Sequence, residues 1–203
     1  AIQQQTGETT QLCCLADDHC VMLDQLASIH PFKYIVDLGC LAPLHCTAPG
    51  KAMVAFLPDA EQDALLARLK LEKHTEKTIV TKRDLATEIE RIRTHGYAFD
   101  KGEHFDGISC VAAPILDQHG HAIGAVTIAG PTSRCLIEET ERSGRSFGVM
   151  TELLAGRFGD DSEVVVKRCA GRLLGLPAES FMDVPIRDLA RRFKAAAAPA
   201  LNP

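Results

Sequence analysis

No stretch of this 203-residue chain approaches the roughly 18 consecutive apolar residues that a membrane-spanning helix needs, so no membrane role is expected. Positive charge is scarce too. The 22 Lys and Arg stand against 27 Asp and Glu, a formal net charge of -5, which argues against a bulk electrostatic grip on DNA or anionic lipid. The start, Ala1-Ile2-Gln3-Gln4-Gln5, has neither the basic residues nor the apolar core of a secretory signal, and the missing initiator Met leads us to expect a trimmed chain. Eight cysteines are present, yet there is no C-x-x-C pair, and the spacing Cys13-Cys14, Cys20, Cys40, Cys46 fits no zinc signature. A chain of this length needs no covalent staple. In contexts such as Leu12-Cys13-Cys14-Leu15, reduced Cys behaves as a small hydrophobe. The expectation is structural thiols in a cytoplasmic protein, with no metal and no cofactor. Gly50-Lys51 invites comparison with a phosphate loop, but the G-x-x-x-x-G-K-[ST] frame is absent. No internal repeat is visible.

What is present is ordinary for a soluble globular domain: 46% hydrophobic and 24% charged residues, enough for one sizeable core with room for an appendage. Thr9 to Leu15 and His19 to Leu26 read as strands joined by a tight turn at Asp17-Asp18, and Lys33 to Leu38 as a third short strand. Pro43 to Gly50 reads as a loop, with a helix from Lys51 to Leu57 stopped by Pro58. Asp59 is placed to N-cap the next helix, whose stripe is Leu65, Leu66 and Leu69. Thr81 and Asp84 form a capping box, Leu85, Ile89 and Ile92 follow at helical spacing, and Gly96 suits a left-handed C-terminal cap with His95 beside it. Helices are also expected over about 137–157, 164–174 and 186–197. Hairpin-type connections make the class α+β, built on an antiparallel sheet.

The densest region is a hairpin, Ile108–Leu116 and His121–Gly130, turning at Asp117-Gln118-His119-Gly120. A two-residue loop puts Cys110 opposite Thr127 and Ile108 opposite Ala129. One face then carries Ile108, Cys110, Ala112, Ala125, Thr127 and Ala129, and the other Val111, Ala113, Ile115, Val126 and Ile128. A three-residue loop with Gly120 in a bulge would slip that register. The first face is shallow and mildly polar. Either it leaves room for a ligand, or it packs under a helix with Thr127 bonded to backbone. Asp100 is likewise a ligand contact or a plain turn acceptor.

Four segments carry a family resemblance: Leu44-His45-Cys46-Thr47-Ala48-Pro49-Gly50-Lys51-Ala52, Gly96-Tyr97-Ala98-Phe99-Asp100-Lys101-Gly102-Glu103-His104, Gly107-Ile108-Ser109-Cys110-Val111-Ala112-Ala113-Pro114, and Ile128-Ala129-Gly130-Pro131-Thr132-Ser133-Arg134. In this order and spacing, from about Thr6 to Gly159, the chain resembles the effector-binding domain of IclR-type bacterial transcription regulators. The resemblance implies a GAF-like, profilin-like antiparallel sheet flanked by helices. It also implies a small-molecule effector, commonly an organic acid, and assembly as a homodimer or dimer of dimers. DNA would be contacted only through a separate N-terminal winged helix-turn-helix, which this chain lacks. Carried over by motif, the ligand contacts fall on Asp100, Cys110, Thr127 and Ala129, with Ile108 beside them. Backbone donors come from the Ala48–Lys51 loop, at Ala48 and Gly50, where a helix start favours anions. Thr127 Oγ1 and the Cys110 thiol would donate to a carboxylate, and Asp100 would accept from a hydroxyl or amine.

Two departures from the pattern matter: Ala129 lacks a hydroxyl, and Pro49 lacks an N–H. Each missing bond to a charged group costs about 1.5–3 kcal/mol, so a larger or more apolar acid is expected rather than a very small keto acid. The division expected is an effector-binding domain over 1–159 and a C-terminal helical extension over 160–203. There Ile186, Leu189, Ala190 and Phe193 form a stripe that either docks on its own domain or serves as a lid or subunit contact. Two other functions are kept open: a stand-alone GAF-like binding module, and a cysteine-dependent hydrolase pairing Cys110 with His104 or His45. The hydrolase lacks a third orienting residue at a telling spacing, and no catalytic residue is expected. As metal ligands, His19-Cys20 and His45-Cys46 are poor pairs, because neighbouring side chains on a strand point to opposite faces.

Overall fold

The structure, a computed structural model, describes residues 2–134. The helices expected over 137–157, 164–174 and 186–197, and the extension 160–203, lie outside the described residues. A short helix α1 (Ile2–Thr6) precedes β1 (Thr9–Ala16) and β2 (His19–Leu26); β3 (Leu41–Pro43), α2 (Ala48–Ala55), α3 (Asp59–Arg68), α4 (Lys82–His95), β4 (Ala98–Asp100), β5 (Ile108–Leu116) and β6 (Ala122–Pro131) follow. The strands form one six-stranded antiparallel sheet in the order β3-β2-β1-β6-β5-β4. Helices on an antiparallel sheet give the α+β class.

Local chemistry explains most of these elements. Asp17 takes φ 54 in the turn between β1 and β2, a left-handed conformation that aspartate tolerates. The Thr81 hydroxyl accepts from the Asp84 N–H at 3.1 Å, and Gly96 closes α4 at φ 80. Between those caps Leu85, Ile89 and Ile92 are buried in the core. Arg134, which ends the last family segment, clamps Glu8 with two guanidinium bonds of 2.5 and 3.0 Å, holding the end of β6 to the start of β1.

Three expectations are corrected. Residues Lys33 to Leu38 form no strand, because the Gln25 side chain takes the backbone of Val36, donating to its carbonyl at 2.6 Å and accepting from its N–H at 3.4 Å. β2 pairs instead with β3, Val21 facing Leu41 and His19 facing Pro43. Helix α2 starts at Ala48 rather than Lys51, with Pro49 in its first turn, where a missing N–H leaves no intrahelical bond unmade. The N-cap position of α3 is Pro58, not Asp59; Asp59 opens the helix and its carboxylate accepts from Arg93 at 2.8 Å.

All eight residues of α2 are buried, and the helix lies across β5 and β6, with α4 behind it. Ala48, Ala52 and Ala55 share a core with Ala112, Ala125 and Ala129, so small residues on both partners let helix and sheet approach closely. Gly50 sets that closeness on the other side. A Cβ there would sit 2.6 Å from the Leu44 Cα and carbonyl oxygen. We therefore expect Gly50→Ala to destabilise the domain by about 1–3 kcal/mol in urea unfolding, and a loss well under that range would show that the 44–47 bend yields freely.

Candidate ligand-binding site

Gly96 ends α4 and turns the chain into β4, which delivers Asp100 to the sheet edge, only 3% exposed. The Asp100 carboxylate accepts from the N–H of Gly102 at 3.0 Å and of Glu103 at 2.6 Å, so Asp100 is a turn acceptor. The loop it organises is held from a second side by hydroxyls. Thr75 donates to the Gly102 carbonyl at 2.8 Å, and Thr78 to the Glu103 carbonyl at 2.6 Å. From beneath, Lys51 of α2, 1% exposed, reaches Glu103 at 2.6 Å and Glu88 of α4 at 3.4 Å. Glu88 thereby joins α4 to this buried cation. Gly50-Lys51 thus has a structural use that its likeness to a phosphate loop concealed: glycine for close approach, lysine for a buried ion pair. Burial pushes Asp100 up to about 6, against the pull of its backbone donors and Lys51. Burial likewise raises Glu103 to about 7, again opposed by Lys51.

The β5–β6 hairpin departs from the two-residue turn. Asp117 N–H bonds the His121 carbonyl at 2.8 Å around a three-residue loop, with Gly120 at φ 78, and the Asp117 carboxylate accepts from His119 and His121 N–H. A second irregularity follows between Ile115 and Leu116. Cys110 therefore faces Ala129, and Ala112 faces Thr127, two positions from the expected pairing. Two single-residue slips restore parity, so Ile108, Cys110, Ala112, Ala125, Thr127 and Ala129 still share one face.

That face serves both purposes weighed from the sequence. Its lower half, with Ala112 and Ala125, lies in the core beneath α2. Its upper half borders a cavity of about 350 Å³. The walls come from Gln11 of β1, Cys20 and Met22 of β2, Tyr34, Val36, Asp37 and Cys40 of the following loop, Leu41 and Ala42 of β3, Thr47 and Pro49 at the start of α2, Asp100, His104, Phe105, and Ile108, Cys110 and Thr127. Of the residues singled out in the sequence, Asp100, Cys110, Thr127 and Ile108 line it together. Ala48, Gly50 and Ala129 are buried but are not among its wall residues. The Thr127 hydroxyl gives its proton to the Val111 carbonyl at 2.9 Å, so it meets the cavity as an acceptor rather than the expected donor.

Gln11, Tyr34 and the 36–40 loop were missed, and His104 was weighed only as a reactive partner for Cys110. Their signal is tertiary: each arrives from a segment distant in sequence from the hairpin. No Lys or Arg is among the described residues lining the cavity, while Asp37 and Asp100 both are. Burial raises the Cys46 thiol to about 12 and Cys40 to about 11, so both stand protonated near neutral pH. Beside the cavity three imidazoles gather, His74 lying 5.9 Å from His45 and 5.0 Å from His104 between ring centroids.

A sheet whose strand ends, helix start and covering loop close on one small cavity matches known proteins in both sequence and shape. Residues 1–146 match the family of bacterial transcriptional regulator IclR C-terminal domains. The chain belongs to this family. It is 33% identical over 135 residues to the transcriptional repressor IclR of Escherichia coli K12, covering 66% of this chain and 49% of that one. It is 32% identical over 133 residues to the probable transcriptional regulator SauR of Cupriavidus necator, covering 66% and 53%. The chain thus spans about half the length of the curated relatives it matches. Among solved structures, that of IclR from Thermotoga maritima superposes with a TM-score of 0.70 at 32% identity, over 76% of this chain and 61% of that one. The inducer-binding domain of PobR from Acinetobacter, solved as a double mutant with 3-hydroxybenzoic acid, shares the fold: TM-score 0.64, 21% identity, 76% of this chain and 87% of that one.

In this IclR-type domain the buried Asp100 has a pH signature. Its carboxyl binds a proton more tightly folded, at about 6, than unfolded, at the ordinary 3.8, so folding takes up a proton between those values. The unfavourable contribution is therefore absent below pH 4, grows as pH rises, and is complete above about 6, where it amounts to about 2–3 kcal/mol. Asn at this position keeps an oxygen for both backbone donors. Asp100→Asn should stabilise the unliganded domain at pH 8 by on the order of 1–3 kcal/mol and be nearly neutral at pH 4. Urea titrations at the two pH values test this, and a destabilised variant at pH 8 contradicts it.

Proposed function

We propose that this domain senses a small organic acid with an apolar aliphatic or aromatic body, and that occupancy biases the assembly and DNA binding of a cytoplasmic transcription regulator. The observation that supports it is the cavity. At about 350 Å³ it lies at the lower end of the range of ligand pockets, roughly 300–1,000 Å³, and a two-carbon keto acid would leave most of it empty. Met22, Val36, Leu41, Phe105 and Ile108 offer apolar contact, and the Gln11 amide, Tyr34 hydroxyl and Cys110 thiol are neutral polar groups for orientation. Asp100 would accept from a hydroxyl on the ligand. A domain of this fold does hold a hydroxybenzoic acid, in PobR.

Coupling would run through the 27–40 loop. Its Tyr34, Val36, Asp37 and Cys40 line the cavity, while Ile29, Phe32, Ile35 and Leu38 of the same segment are exposed. A ligand that pulls the inner residues together repositions the outer ones, and exposed apolar side chains are suited to a subunit contact in a homodimer or dimer of dimers. DNA would be read by an N-terminal winged helix-turn-helix outside this chain. The transcriptional regulators among its relatives support a non-catalytic reading, and the Nε2 of His45 faces the Glu72 carbonyl at 2.9 Å rather than Cys110. One observation supports a second ligand class. Walls with two carboxylates and no lining cation suit a neutral or amine-bearing molecule as well.

A thermal-shift panel separates these readings by presenting aromatic and aliphatic acids, the matching alcohols and amines, and glyoxylate and pyruvate. At about one hundred times Kd the right class should raise Tm by about 5–10 °C, and Cys110→Ser should reduce that shift without abolishing folding. Shifts from alcohols or amines alone overturn the acid assignment. Micromolar glyoxylate or pyruvate binding overturns the size argument, and chemical conversion of the ligand overturns the non-catalytic reading.

A further inference from the structure

We infer that His45, Cys46 and His74 form a site for a zinc-type divalent cation beside the effector cavity. One ring nitrogen of each histidine and the Cys46 sulfur lie within 4.8 Å of one another. His45 and Cys46 precede α2, and His74 comes from the segment between α3 and α4, so an ion there would join two separate stretches of chain. Ligands at about 2.0–2.3 Å from a tetrahedral zinc stand about 3.3–3.6 Å apart, so the three donors need close by only about 1 Å. His74 is exposed, which gives the ion a route in and that side chain freedom to move.

The second observation is the state of His45. The ring is 2% exposed; its Nε2 lies 2.9 Å from the Glu72 carbonyl, and its Nδ1 is buried with no hydrogen-bond partner among the described residues. A carbonyl accepts only from N–H, so the proton sits on Nε2 and the Nδ1 lone pair is left over. A histidine that gives one N–H to a backbone carbonyl and keeps the other nitrogen bare has the arrangement in which metal-bound histidines are found. Buried polar atoms without partners are uncommon, and a cation would satisfy this one.

The objection to His45-Cys46 raised from the sequence assumed a strand, where adjacent side chains diverge. Residues 44–47 are bends instead. One thiolate and two imidazoles suit zinc over magnesium or calcium. Binding exchanges the Cys46 S–H proton for the ion and releases it to solvent, leaving the fourth position to water. His104, edge-on to His74 and itself a cavity wall, adjoins the site. Thr75 and Thr78, next to His74, hold the Gly102 and Glu103 carbonyls, so occupancy reaches the Asp100 loop.

The test is titration of the chelator-stripped 203-residue chain with cobalt(II), followed by zinc(II) competition. One equivalent of cobalt should bind with a thiolate-to-metal charge-transfer band that zinc displaces. Cys46→Ser should abolish the band, and His74→Ala, a surface change, should weaken affinity at least about tenfold with an unchanged circular dichroism spectrum. Cys110→Ser should change neither. Absence of the band, or a band that survives Cys46→Ser and vanishes in Cys110→Ser, overturns the site. Should Cys46→Ser not fold, unaltered affinity in His74→Ala overturns it equally.

Discussion

The pair Lys51–Glu103, closed at 2.6 Å with the lysine 1% exposed, is the constraint on which the site depends. It joins α2 to the loop after β4, and Glu88 ties α4 to the same cation. Removing one member of such a pair strands a buried charge, which typically costs about 3–5 kcal/mol, whereas replacing both by apolar groups is often neutral. Such a pair is therefore better understood as fixing a position than as supplying net stability. Here the position fixed is that of Glu103, whose N–H in turn orients Asp100. One Glu103 oxygen remains without a partner among the described residues, so the network is not fully satisfied.

That incompleteness is one of several local costs around the site. A buried aspartate held up to about 6, a glutamate held up to about 7 and a bare imidazole nitrogen all lie around one cavity and its neighbouring cluster. Each is a local cost that a bound hydroxyl or amine donor, or a cation at the imidazole cluster, would relieve. Binding free energy and relief of these costs then act in the same direction, which is how a small molecule obtains differential affinity for two states of a protein.

Much of this architecture was legible from local pattern. The Thr81–Asp84 cap, the Leu85, Ile89, Ile92 stripe and Gly96 specified α4 to its ends, because caps and periodicity are short-range. The shared face of Cys110 and Thr127 was also legible, since alternation along a strand survives an even slip. What could not be read depends on separation. Lys51 and Glu103 are 52 residues apart, and nothing near either one shows the other. The Lys33–Leu38 run has strand composition, yet a single glutamine side chain occupies the backbone positions a neighbouring strand would need. Pairing of the four family segments with the right elements came from the resemblance; the donor role given to Thr127 failed because the Val111 carbonyl lies closer to hand.

The two irregularities of the β5–β6 hairpin carry an evolutionary consequence. Each alone would rotate every side chain of β6 to the reverse side, putting Val126 and Ile128 toward the cavity and turning Thr127 away from it. Only their combination preserves which residues face the cavity. Lineages of this domain can therefore lengthen or shorten the Gln118–Gly120 tip freely only in steps of two, or by a compensating change farther down the ribbon. Odd-numbered indels there should be rare among functional descendants even though the tip itself is solvent-exposed and lies outside the cavity wall.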